Sequence, residues 1–186
     1  MANQETTRSS LTGIRLPIPW DDLGFVAVPQ FDGVAVTTGA PGWSWDGTAP
    51  RLGVPEAAAV SGEVVDGWSL DHVVLLVPDI EVAVAALDAT GHSARLRMAV
   101  KGRPTAFFRV GTVLEVIESS VPSASLYGLA LATAQPLVEV IETWRHAGLN
   151  VGDPHDAVQP GRSIFSVADL DAGLAVMTPD TAAEAS

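Results

Sequence analysis

No cysteine occurs in the 186 residues. Disulfides, thiolate zinc sites and cysteine nucleophiles are therefore excluded together. A secreted fold stapled by disulfides goes with them, and a reducing cytoplasm is the expected setting. Basic residues are scarce: Lys and Arg number 10 against 22 Asp and Glu, for a formal net charge of −12. A surface this acidic repels nucleic-acid phosphates and anionic lipid headgroups, so neither nucleic acid nor a membrane is an expected partner. Arg95, Arg97, Lys101 and Arg103 form the densest basic cluster and read as a solvated strand or loop face. There is no run of about eighteen apolar residues, which argues against a membrane-spanning helix and for a soluble protein. Met1 to Ser10 lacks the apolar core of a signal peptide. Familiar catalytic signatures are missing as well: no G-x-S-x-G, no H-E-x-x-H, no Walker loop and no dinucleotide glycine fingerprint.

What is present is apolar: 47% of the residues, enough for a sizeable core. Residues 1–11 and 180–186 read as tails. Residues 12–68 form a Pro-, Gly- and Trp-rich extension, with short strands at Gly24–Val28 and Val34–Thr37 around Phe31-Asp32-Gly33 and a third near Trp43 and Trp45. Glu56 to Gly67 reads as a connector. From Ser69 the pattern sharpens. Leu70 to Val77 is apolar on both faces, as in a strand covered on both sides. Asp79 can cap a helix whose Ile80, Val84 and Leu87 share a face, and Gly91 ends it. Three strands follow at Ala94–Val100, Thr105–Val110 and Thr112–Glu118, with turns at Gly102-Arg103-Pro104 and at Gly111.

The same order then returns. Leu126–Ala132 answers the Leu70 strand. Pro136 opens a second helix with a stripe of Leu137, Val140, Ile141 and Trp144, and Gly148 ends it. Ile164-Phe165-Ser166-Val167 answers Phe107-Phe108-Arg109-Val110, and Leu174-Ala175-Val176-Met177 answers Leu114-Glu115-Val116-Ile117. The spacing starts near 56 residues and drifts to about 60, a drift that loops absorb. The expected modules are 69–120 and 121–179. The expected fold class is α+β: two tandem βαβββ modules forming a curved mixed sheet around a cleft, with extra N-terminal strands from a strand-rich extension or degenerate module.

A tandem βαβββ repeat opening on Leu-Asp-His-Val-Val-Leu-Leu-Val-Pro-Asp resembles the vicinal oxygen chelate superfamily, which includes glyoxalase I, extradiol dioxygenases, methylmalonyl-CoA epimerase, fosfomycin-resistance enzymes and bleomycin-binding proteins. The Asp156–Arg162 stretch is similar to one in glyoxalase-like bacterial proteins. The resemblance covers about 110 residues, 69 to 179. It implies a divalent metal in the cleft, with a ligand on the first and fourth strands of each module. His72 and Glu115 match in the first module. In the second, Gly128 and Ala175 stand at the corresponding positions and cannot ligate, while neighbouring Tyr127 is an unusual ligand. The set is incomplete, so the cofactor is either none or one divalent metal ion.

His72 and Glu115 thus admit three readings: a residual metal pair, a metal-free acid–base pair, or a hydrogen-bonded remnant that touches a ligand. Arg162 either clamps an anionic group of a ligand or pairs with Asp153 or Asp156 of its own loop. Phe107 and Phe108 point opposite ways, so one of them at most reaches the cleft; Arg109 shares the face of Phe107. Phe165 and the Trp43, Trp45 and Trp68 rings read as core cover. His155 and His146 read as surface residues, and His92 sits beyond the first helix near its C-terminal dipole. The leading functional expectation is a glyoxalase-like protein holding a small organic ligand in an apolar cleft, with contacts from His72, Glu115, Arg162, Phe107, Arg109 and Tyr127. The competing one is a metal-dependent lyase, isomerase or dioxygenase. Dimers are common in the superfamily, so a homodimer is a further expectation.

Overall fold

The computed structural model describes residues 9–25 and 28–180. The terminal tails at 1–8 and 181–186 lie outside the described residues, as do Val26 and Ala27 of the strand expected at 24–28. Among the described residues no helix is long and apolar enough to cross a membrane.

The repeated half forms one eight-stranded mixed sheet. Its first module runs β6 (Trp68–Val77), α1 (Ile80–Asp88), β7 (Leu96–Val100), β8 (Arg103–Arg109) and β9 (Val113–Glu118). The second runs β10 (Ser125–Thr133), α2 (Leu137–His146), β11 (His155–Asp156), β12 (Ser163–Val167) and β13 (Gly173–Met177). The strand order β11-β12-β13-β10-β6-β9-β8-β7 puts the two first strands side by side at the centre. In each module the first strand runs parallel to the last, and the remaining pairings are antiparallel.

The helices form where the sequence places their caps. The Asp79 carboxylate accepts from the Glu81 and Val82 amides at 2.9 and 3.1 Å, and Glu118 on β9 accepts from Ile80 at 3.0 Å. Ile80, Ala83 and Leu87 are the buried stripe of α1, with Val84 half-buried beside them. Leu137, Val140, Ile141 and Trp144 are that of α2, as expected. Both helices are followed by glycines of positive φ, Gly91 and Gly148.

The duplication can be read in the pairing of β6 with β10. Val73 faces Leu129, His72 faces Ala130, and Val74 faces Gly128. A local two-fold axis through the Val73–Leu129 pair therefore exchanges His72 with Gly128. The parallel pairs agree: Val74 faces Glu115 in the first module, and Ala130 faces Ala175 in the second. One assignment needs correction. Phe107 faces Glu115 and Ser166 faces Ala175, so Ser166 answers Phe107 and Ile164 answers Thr105. The expected match was two residues out, a slip that leaves every side chain on its proper face.

The extension folds into a five-stranded sheet of its own rather than adding strands to the larger one. It contains β1 (Leu11–Leu16), β2 (Pro29–Phe31), β3 (Val34–Thr38), β4 (Gly42–Trp45) and β5 (Glu63–Val64), in the order β4-β1-β3-β2-β5. Leu11, assigned to the tail, is buried and opens β1; its amide donates to Val110 at 2.8 Å. This sheet covers the helical side of the repeat. Trp144 of α2 stacks on Trp68 and donates to the Leu23 carbonyl at 3.1 Å, while Phe25 meets Trp68 edge-on. Trp43 is buried, with Trp45 edge-on to it and His92 tilted beside Trp45. His92 follows α1 as expected but is buried, with neither ring nitrogen partnered. The Trp43, Trp45 and Trp68 rings are thus core cover. With the outer face sealed, the other face of the eight-stranded sheet is left for a ligand.

Candidate functional site

Strand alternation alone would send Asp71 and His72 to opposite faces. They share a face because the register with β10 shifts between Ala130 and Leu131, where His72 faces Ala130 and Leu70 faces Leu131. Asp71 is the extra residue of a β-bulge. Burial records the phase change: Leu70, Val73, Leu75 and Val77 are buried, whereas Asp71 and His72 are both half-buried on the opposite side. The second module repeats the device. Leu126 faces Leu75 and Gly128 faces Val74, which leaves Tyr127 as the extra residue there. The two-fold axis therefore exchanges Asp71 with Tyr127.

The first bulge builds a chain of four charged or polar groups. Arg162, buried on the second module, donates through Nη2 to the Asp71 carboxylate and through Nε to the Thr178 carbonyl at 2.8 Å. Asp71 Oδ1 lies 2.7 Å from His72 Nδ1, and His72 Nε2 lies 3.4 Å from Glu115 Oε2. Burial pushes the Asp71 carboxyl up. Hydrogen bonds from His72 and Arg162, and their charges, outweigh burial and hold it below its ordinary value. Asp71 is therefore an ionised acceptor, and His72 Nδ1 carries the proton between them. Glu115 goes the other way: burial raises its carboxyl, the His72 charge pulls it down, and the Asp71 charge adds to the rise.

Beside this chain a cleft of about 420 Å³ opens over the second module. His72 and Val74 line one side, Tyr127 and Ala130 lie on β10, and Gly173 and Ala175 lie on β13; the 166–172 segment closes the far wall. The space exists because the second module lacks the first module's side chains. Gly128 packs so closely on Gly173 that a Cβ there would lie 2.0 Å from the Gly173 carbonyl oxygen. A Cβ on Gly173 would lie 2.5 Å from Tyr127 Cε1, so the tyrosine ring covers that glycine.

The expected site residues thus divide. His72 and Glu115 come together, and Tyr127 lines the cleft. Phe107 lies half-buried on the cleft face opposite Glu115, and Phe108 is core. Arg109 shares the face of Phe107 but is exposed at the end of β8. Arg162 takes neither of its expected roles: its partner is Asp71, whereas Asp153 pairs with Arg145 at 2.8 Å. Phe165 is fully buried, edge-on to Trp144. His155 is exposed, and exposed His146 contacts the Glu142 backbone carbonyl at 2.7 Å. Asp71 was missed. Its signal was a carboxylate inside an otherwise apolar strand, at the position answering Tyr127.

No protein-family model matches the sequence, and no curated protein matches it. Solved structures do. Methylmalonyl-CoA epimerase from Mycobacterium tuberculosis aligns with 63% of this chain and 91% of its own, at 16% identity and a TM-score of 0.50. A hypothetical protein from Bacillus halodurans aligns over 62% and 96%, at 13% identity and the same TM-score. The chain has the vicinal oxygen chelate fold. At these identities the likeness is one of fold alone, and the site must be judged on its own residues.

Judged so, the vicinal oxygen chelate positions here do not fit a resident divalent metal. Two side chains, His72 and Glu115, face each other across 3.4 Å. The positions related to them by the two-fold axis are Gly128 and Ala175, and Tyr127 lies against Gly173. Among the described residues no group of three or more His, Asp or Glu could hold a metal ion. Catalytic metals usually take three protein ligands and an open position.

Proposed function

We propose that this chain is a small-molecule-binding protein that holds an organic ligand in the cleft over its second module, with His72 as the polar contact and no metal bridging the two. The observation that carries this reading is the asymmetry between the halves. The axis relates a charged pair in one module to an empty, small-residue floor in the other, and the cleft lies over that floor. The lining combines apolar groups with a few polar ones, as ligand pockets do. It contains no Lys or Arg to meet the phosphates of an acyl-CoA, and Arg162, the buried cation nearby, is bound to Asp71 and Thr178. The ligand this cleft favours is therefore not an anion. Phe107, Arg109 and Glu115 lie outside this lining, and only a ligand that reaches past His72 onto the first module would touch them.

A thermal-shift screen of neutral organic molecules in the presence of EDTA tests the reading. A ligand at a hundred times its Kd stabilises the fold by about 2.7 kcal/mol. The expected hits keep their shift in EDTA and lose it in His72→Ala; shifts that appear only with added divalent metal would overturn the proposal. One observation favours a second reading, metal-free acid–base chemistry. Asp71 fixes the His72 tautomer so that Nε2, the nitrogen facing Glu115, is free to exchange a proton. Conversion of a hit, and not merely its retention, would select that reading.

A further inference from the structure

We infer that the cleft takes a flat aromatic ring, held against the face of Tyr127 above a floor of Ala130, Gly173 and Ala175. The inference rests on the binding reading above and deepens it by naming the ligand class.

The floor comes first. β10 and β13 are parallel neighbours, with Ala130 facing Ala175 and Gly128 facing Gly173. Neighbouring strands lie about 4.8 Å apart, and residues two apart on one strand about 6.8 Å. No side chain larger than a methyl rises from this patch; Ala130 is buried in it, and Gly173 and Ala175 are half-buried at its cleft side. The axis supplies an internal comparison. In the first module the same patch carries His72, Val74, Val113 and Glu115, and those side chains fill it. The equivalent strand pair is thus occupied in one copy and cleared of side chains in the other.

The wall is the second observation. Tyr127 is the only tyrosine in the chain and is 53% exposed although its ring rests on Gly173. An aromatic ring seated on backbone, with its remaining surface turned to a cleft, offers a stacking partner at low entropic cost. The bulge puts it there, just as the matching bulge puts Asp71 beside His72. What the first module spends on a hydrogen-bonded carboxylate, the second spends on an aromatic surface.

The far wall is fixed before any ligand arrives. Asn150 donates to the Asp169 carboxylate at 2.6 Å, its carbonyl accepts from Ala168 at 2.7 Å, and Asp169 holds a left-handed φ of 60°. The segment carrying half-buried Leu170 is therefore tied down, and the slot needs no closure. Carboxylates at Asp169 and Asp171 on this wall disfavour an anionic ring, and His72 at the other side can meet a hydroxyl. The fitting ligand is a hydroxyl-bearing aromatic that carries no negative charge.

Two probes of like size test this: planar 2-naphthol and its saturated counterpart decahydro-2-naphthol, titrated calorimetrically into the full chain. The expected result is about tenfold tighter binding of 2-naphthol, the upper end of what an aromatic contact contributes. Tyr127→Phe keeps that ratio, and Tyr127→Leu brings it to about one while the saturated probe still binds. Ala175→Leu, which raises a side chain from the floor, weakens both probes at least tenfold. Equal binding of the two probes by the unaltered chain, or a ratio unchanged in Tyr127→Leu, would overturn the inference. Failure is separable from failure of the binding reading. Screening hits that are all non-planar sink the slot alone, whereas a screen with no hits removes both.

Discussion

Replacing Arg162 by methionine lowers the unfolding free energy by about 3 kcal/mol, and with it Tm by about 10 °C. The guanidinium is 8% exposed and joins the second module to the Asp71 bulge of the first. Methionine fills much of the volume but leaves Asp71, 15% exposed, with His72 alone as its partner. Breaking a buried pair costs about 3–5 kcal/mol because the stranded charge remains in low dielectric. The remaining His72 bond places this case at the low end. The pH dependence follows from the direction of the Asp71 shift. Its carboxyl is held below its ordinary 3.8, so the native state binds its proton less tightly than the unfolded chain does. The stability it contributes is present above 3.8 and is lost as the pH falls below that through the folded value. The gap between the unaltered chain and Arg162→Met therefore narrows in that acid range. Adding Asp71→Asn to Arg162→Met recovers part of the loss, since no charge is then stranded. Urea unfolding at pH 7 and below pH 4 measures both effects, and a gap constant across that range would contradict the assignment.

Gly128→Ala should cost about 3 kcal/mol or more. The added Cβ would lie 2.0 Å from the Gly173 carbonyl oxygen and 2.6 Å from its carbonyl carbon and Cα. These are backbone atoms of the paired strand, so no rotamer change relieves the clash and the β10–β13 ladder must part. Gly102→Ala is the control. Gly102 has φ of +77° with nothing within 4 Å of its Cβ position, so only the conformational cost of about 1 kcal/mol applies. The larger consequence concerns the two-fold relation. Gly128→His, which would restore on paper the residue answering His72, meets the same obstruction. The modules have thus diverged in backbone spacing as well as side chains, and one substitution cannot rebuild a symmetric ligand set.

The repeat and both helices were legible in the sequence because each rests on local or strongly periodic signals, whereas His72 and Glu115 were singled out together through the family resemblance. Asp79 and Gly91 bracket α1, and apolar runs mark β6 and β10. The placement of Asp71 on the face of His72 was not legible, because the period-two rule holds only between bulges and nothing in Leu70-Asp71-His72 marks the bulge. The partner of Arg162 lies 91 residues away, beyond the reach of a loop-level reading that favoured Asp153 and Asp156. The two-residue slip at Phe107 kept every face correct, so no hydrophobic mismatch exposed it. The extension was read only as scattered strands. Its sheet is organised by pairings of β1 with β3 and β4 and of β2 with β5, strands well separated in the chain, and these leave little periodicity behind.

Every functional statement depends on the donor set at the two-fold axis being half empty. Metal content of chain purified without chelator, measured by plasma mass spectrometry beside His72→Ala, addresses that directly. The structure predicts well under one divalent ion per chain in both. A full equivalent of a first-row metal that disappears in His72→Ala would contradict it.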